Sequence, residues 1–206
     1  MRIPKHIGII PDGNRRWAQN HGMGKEQGYA YGLQPGLELL RHLKGLGVEE
    51  VTYYGFTTDN CKRPKEQLTA FSRACVEAVD LISQDGADLL VLGNTASKCF
   101  PEQLLPYTRR RTPISGGGIK LNFLVNYGWK WDLSNIEKSG QPFSHDVSRI
   151  DLLIRWGGMR RLSGFLPIQS VYADFYVVDS LWPDYQKQDI ADALQWYNKQ
   201  DITLGG

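Results

Sequence analysis

Two periodicities alternate along the chain. His6–Ile10 is a short apolar, β-branched run that stops at Pro11-Asp12-Gly13-Asn14, a turn signal, and so predicts a strand. Arg15–His21 reads as a helix, with Gly22 and Gly24 as loop. Leu33, Leu37, Leu40 and Leu43 place an apolar stripe on a helix over Leu33–Leu46 that ends at Gly47. Glu50–Phe56 is a second strand, and Lys65–Ser83 a long helix with Leu68, Phe71, Cys75, Val79 and Ile82 along one side. Further strands are expected at Asp88–Leu92, Ile119–Tyr127, Asp151–Arg155 and Phe175–Val178, and a simple loop over Ser134–Ser148.

Strands separated by helical stretches favour parallel β-α units. The expectation is an α/β fold with a central, mostly parallel six-stranded sheet flanked by helices. No linker divides the chain, so residues 1–206 read as a single domain. Ligands of open α/β sheets sit beyond the carboxyl ends of the strands. Three polar loops fall there: Asp12 after the first strand, Thr57–Arg63 after the second, and Trp156–Ser163 after the fifth.

Composition narrows the function classes. A hydrophobic share of 41% and a charged share of 22% are ordinary for a globular chain. A formal net charge of +2 argues against a nucleic-acid protein held by bulk charge, though a local basic pocket is compatible with it. Cys61, Cys75 and Cys99 form neither a disulfide framework nor a C-x-x-C pair, and a reducing cytoplasmic setting is the simplest. No apolar run reaches the ~20 residues of a transmembrane helix, and Met1–Lys5 lacks a secretory pattern.

The candidate chemistry lies in the three loops. In Asp12-Gly13-Asn14-Arg15-Arg16-Trp17 a glycine turn and two arginines suit a phosphate. An aspartate among them gains a purpose if Mg²⁺ bridges it to the anion; taken alone, the segment reads equally as a capped helix with solvated arginines. Phe56-Thr57-Thr58-Asp59-Asn60-Cys61-Lys62-Arg63 offers hydroxyls, an amide and two cations, or else a capped helix start. Arg155-Trp156-Gly157-Gly158-Met159-Arg160-Arg161-Leu162-Ser163 sets three arginines around a Gly-Gly turn, dense for a surface loop. No Ser-His-Asp set, Walker motif or G-x-G-x-x-G is present.

In this order the loops resemble the cis-prenyltransferase family, that of the undecaprenyl diphosphate synthases. The matching blocks are His6–Ala18, Phe56–Pro64, Leu121–Gly128, Asp151–Leu166 and Gln169–Tyr185. The resemblance implies an Mg²⁺-dependent enzyme acting on isoprenyl diphosphates, a homodimeric assembly, and an α/β fold enclosing a hydrophobic tunnel. It gives Asp12 the role of placing Mg²⁺ on the allylic diphosphate, with Asp174 standing where relatives hold the metal with glutamate. Asn60 takes a catalytic position. Gly13, Asn14, Arg15, Arg16 and Lys25 fall at the allylic diphosphate, and Trp17 at a substrate-binding position. Tyr29, Phe56, Thr57, Thr58, Asp59 and Arg63 fall at substrate-binding positions. Arg155, Arg161 and Ser163 form the clamp on the second diphosphate.

Departures from the family pattern include Tyr29, Cys61, Trp156, Met159 and Gly164, and a short stretch between Tyr127 and Asp151. Phe123-Leu124-Val125 is bulky where long-chain members carry small residues. Together they imply a short product and a likeness to the irregular branch, the lavandulyl and cyclolavandulyl diphosphate synthases. The expected reaction joins two dimethylallyl diphosphates head-to-middle into a branched, cyclised C10 diphosphate. Two alternatives stay open: a regular head-to-tail short-chain synthase using isopentenyl diphosphate, and a non-catalytic partner subunit of a heteromer.

Overall fold

A computed structural model describes residues 1–82 and 84–201 of the chain. In chain order the elements are β1 (His6–Ile10), α1 (Asn14–Asn20), α2 (Gly28–Tyr31), α3 (Leu33–Gly45), β2 (Glu50–Tyr54), α4 (Lys65–Ile82), β3 (Ala87–Leu92), β4 (Thr112–Ile114), β5 (Lys120–Leu124), α5 (Trp129–Leu133), α6 (Ile136–Ser139), β6 (Leu152–Arg155), β7 (Asp174–Val177) and α7 (Lys187–Tyr197). Short 3₁₀ turns cover Thr58–Lys62, Glu102–Tyr107 and Trp182–Asp184. The expected helix end at Ser83 lies outside the described residues.

The strands form one sheet in the order β4-β3-β5-β2-β1-β6-β7. Every pair is parallel except β3–β4, which is antiparallel. The sheet therefore has seven strands rather than six. The extra one, Thr112–Ile114, is a three-residue edge strand with a proline at its centre. It is too short to show a periodicity, and proline is tolerated only at such an edge.

Side chains alternate across the sheet, as the period of two requires. Ile7, Ile9, Val51, Tyr53, Leu89, Val91, Leu121, Phe123, Leu152 and Ile154 face the core shared with α3, α4 and α7. Ile10, Tyr54, Leu90, Leu92, Leu124 and Leu153 face a second, smaller core closed by Tyr127, Val147, Ile150, Phe165 and Leu166. Phe123 and Val125 thus share the helix-covered side, while Leu124 points the other way.

Ser134–Ser148 is not a plain loop. It contains α6, and its Ser144 is tied to the buried carboxylate of Asp132 in α5, which accepts from Tyr127 Oη at 2.6 Å, Ser144 N at 2.8 Å and Ser144 Oγ at 2.7 Å. These bonds pull the segment down onto the sheet.

Candidate active site

The first loop follows directly from the end of β1. The chain leaves the sheet at Ile10 and turns at Gly13, whose φ of +117° favours glycine. A Cβ there would stand 3.1 Å from the Leu181 backbone. The register aligns Ile10 with Arg155, the last residue of β6, so Asp12 and Arg155 meet just beyond the carboxyl edge. α1 has seven residues, and the local field is set mainly by side chains rather than by a helix dipole.

Arg155 is the pivot. Its buried guanidinium donates through Nη2 to Asp12 Oδ2 at 2.8 Å, and through Nη1 to Ser163 Oγ at 2.9 Å and to the Arg161 carbonyl. Its Nε is buried without a partner. Arg16 Nη2 donates to the Gly157 carbonyl at 2.9 Å and lies 3.6 Å from Asp12 Oδ1. One carboxylate is therefore shared by two arginines from different loops. Tyr54 Oη, at the end of β2, donates to the Ser163 carbonyl at 2.9 Å and braces the third loop from beneath.

Asp12, Arg15, Arg16, Lys25, Arg63 and Arg161 line a cleft of about 330 Å³, five cations against one carboxylate. Arg63 donates to Tyr29 Oη at 2.8 Å. Burial lowers the pKa of Arg63, Tyr29 opposes this, and the neighbouring Arg15 lowers it further. Burial pushes the Tyr29 hydroxyl up, against the pull of Arg63. Crowded, partly desolvated cations of this kind are relieved by a multiply charged anion. Recesses of about 610 and 720 Å³ elsewhere each set basic against acidic side chains and carry no such excess.

Pro11, Asn14, Tyr29 and Phe71 also border a second space, an apolar pocket of about 90 Å³ between α3, α4 and the sheet. Its walls include Leu37, Tyr53, Gly55, Ile82, Phe123 and Trp182. A cationic cleft opening onto a narrow apolar pocket suits a molecule with an anionic head and a short hydrocarbon tail.

The structure brings together most of the residues singled out in the sequence. Asp12, Gly13, Asn14, Arg15, Arg16, Lys25, Tyr29, Arg63 and Arg161 all line the cleft, and Arg155 and Ser163 lie directly behind Asp12.

Others are placed elsewhere. Trp17 turns away, donating to Asp184 Oδ1 at 2.6 Å and stacking on His21 at 4.0 Å between ring centroids. Phe56 is core, edge-on to Phe71 at 4.9 Å. Thr57 and Asn60 cap one another. Asn60 Oδ1 accepts from Thr57 N at 3.0 Å, and Thr57 Oγ1 accepts from Asn60 N at 3.3 Å. Thr58 bonds through its amide to the Tyr127 carbonyl at 2.9 Å, and Asp59 pairs with Lys62 at 3.0 Å in solvent. The second loop reaches the cleft through Arg63 alone.

Asp174 stands apart from the cleft. It pairs with Leu152 at the amino end of β7, whereas Arg155 pairs with Val177. Three residues of strand put it roughly 10 Å from the carboxyl edge. Within one chain it does not join Asp12.

Gln19, Phe71 and Met159 line the cleft but were not among the residues singled out as its walls. Gln19 follows Arg15 by one helical turn, a signal that was available in the sequence.

Among the described residues no group of three His, Cys, Asp or Glu side chains could hold a metal. Mg²⁺ is typically bound by one or two carboxylates together with substrate phosphates and water. A single carboxylate amid cations fits a metal carried on a diphosphate and does not fit a pre-formed protein cage.

Comparison with known proteins gives the family. Residues 10–205 match the family model described as putative undecaprenyl diphosphate synthase. The ditrans,polycis-undecaprenyl-diphosphate synthase ((2E,6E)-farnesyl-diphosphate specific) of Yersinia pseudotuberculosis is 30% identical, the match covering 100% of this chain and 91% of that protein. Its Escherichia coli K12 counterpart is 29% identical over 98% of this chain and 90% of its own length. The E. coli alignment runs over 229 positions against 206 residues here, so the relative has segments this chain lacks. The crystal structure of lavandulyl diphosphate synthase from Lavandula x intermedia in complex with dimethylallyl diphosphate superposes with a TM-score of 0.82 at 23% identity, over 99% of both chains, which establishes the shared fold. From its sequence match and its fold, this chain belongs to the prenyltransferase family of the undecaprenyl diphosphate synthases.

Proposed function

We propose that the chain is a short-chain prenyltransferase that condenses two dimethylallyl diphosphates head-to-middle and releases a branched, cyclised C10 diphosphate of the cyclolavandulyl type. The observation that carries this reading is the size of the apolar pocket beneath the cationic cleft. About 90 Å³ is room for only a few water-sized groups at roughly 30 Å³ each, which suits a short hydrocarbon tail and leaves no space for a long chain. Phe123 narrows that space, its ring within 2.9 Å of where a Cβ on Gly55 would stand.

In this reading the first dimethylallyl diphosphate places its head among Arg15, Arg16, Lys25 and Arg63. Mg²⁺, held at Asp12 together with the diphosphate, would neutralise charge on the leaving group. The arginines stabilise the same developing charge in a desolvated cleft, and the apolar walls keep water from the allylic carbon. Arg155, Arg161 and Ser163 hold the second diphosphate so that its double bond faces that carbon. A branched C10 cation results, closes to a ring and loses a proton to an oxygen of the departed diphosphate. We further propose a homodimer, supported by the exposed Ile168, Val171 and Tyr172 on one surface segment.

The test is mass-resolved product analysis with Mg²⁺ and dimethylallyl diphosphate alone, then with isopentenyl diphosphate added. A C10 alcohol after phosphatase treatment of the first mixture supports self-condensation. Turnover that waits for isopentenyl diphosphate assigns instead a regular head-to-tail short-chain synthase. No turnover in either mixture points to a non-catalytic subunit.

A further inference from the structure

Trp129 opens α5 and stands between two of the site loops. On one side, the preceding Gly128 lies against the second loop, where a Cβ would come within 2.6 Å of Thr58 Oγ1. On the other, the indole lies against Gly164, where a Cβ would come within 2.8 Å of Trp129 Cδ1. Both approaches require the absence of a side chain.

The turn under the indole is unusual. Ser163 has φ +52° and Gly164 φ +78°, so a serine is held in the left-handed region beside a glycine that favours it. Such a residue persists only where its surroundings over-determine it. From beneath, Tyr54 Oη and Arg155 Nη1 fix Ser163 through its carbonyl and its Oγ, each at 2.9 Å. Trp129 covers the turn from the remaining side. It does so from the surface, with 45% of its area in solvent.

We propose that Trp129 is a positioning residue for the second diphosphate. The indole holds the Ser163–Gly164 turn in its left-handed form, which keeps Ser163 Oγ on Arg155 and Arg155 on Asp12. The inference rests on the assignment of Arg155, Arg161 and Ser163 to the second diphosphate.

The experiment is calorimetric titration of the whole enzyme with dimethylallyl thiolodiphosphate, a slowly ionising analogue that occupies both diphosphate positions. Trp129→Ala is expected to weaken one of the two binding events about ten- to a hundredfold, the scale of an ångström-level misplacement, and to leave the other within twofold. Trp129→Phe restores most of the loss. Equal weakening of both events, or weakening of neither, would overturn the proposal. Thermal melts of each variant separate this result from a loss of fold. A wild-type enzyme that turns over only with isopentenyl diphosphate would sink the proposed reaction and not this inference, and the same selective loss is then read by titrating isopentenyl diphosphate into the enzyme loaded with the dimethylallyl analogue.

Discussion

At the scale of the residue, the site is organised by one carboxylate and the arginine behind it. Asp12 takes Arg155 at 2.8 Å and Arg16 at 3.6 Å, and among the described residues it is the one carboxylate lining the cationic cleft. Asp12→Ala is expected to lower turnover by about 10²–10³-fold or more, the scale seen when one preorganised electrostatic contact is removed. It also leaves the buried Arg155 charge short of a partner, so the melting temperature should fall modestly. Steady-state assay beside a thermal melt checks both, and near-normal turnover would remove Asp12 from the chemistry. The sequence marked Asp12, Arg155 and Ser163 because charged and hydroxyl groups cluster at strand ends. It also marked Trp17 and Phe56, whose side chains turn to Asp184 and to Phe71. Loop membership is legible in a sequence; the direction of a side chain within the loop depends on what packs around it.

At the scale of the element, the amino half of the sheet carries a buried polar network. His6 bonds to Thr52 Oγ1 at 2.8 Å and to the Ser148 carbonyl at 3.0 Å, and Asn122 joins Thr52 to Glu50. Burial lowers the His6 pKa, with Glu50 opposing in part. The folded value lies below the unfolded one, so the unfolded chain binds more protons once the pH drops below about 6.5. This stabilisation is present above that pH and is lost as the pH falls toward the folded value. Melting curves between pH 8 and 5 should show the midpoint declining with acid, and His6→Gln should flatten that decline. A slope unchanged in the variant would free His6 of the effect. The long amphipathic helices α3 and α4 and the main strands were visible in the apolar spacing. The edge strand β4 and the helix α7 were not: β4 is three residues long, and α7 follows a Trp-Pro-Asp-Tyr turn that breaks the pattern.

At the scale of the whole molecule, two spaces from different parts of the chain are joined at Asn14, Tyr29 and Phe71. Opening the apolar one tests its role in product size. Phe123→Ala removes a ring from its wall, at about 3–5 kcal/mol of stability for a buried phenylalanine, and should extend the products beyond ten carbons when isopentenyl diphosphate is supplied. Product mass reads the outcome, and an unchanged distribution would show that the pocket's end does not set the length. The sequence by itself determined the α/β class, the parallel strands and the loops that carry the charges. Those follow from periodicity and turn chemistry, which act over a few neighbouring residues. Tertiary structure alone decided that Arg63 reaches the cleft while Asn60 caps its own turn. It also set Asp174 at the far end of β7, and put Phe123 rather than Leu124 on the pocket. Each depends on strand register and on which face of the sheet the helices cover, and these are fixed by contacts between segments far apart in the chain.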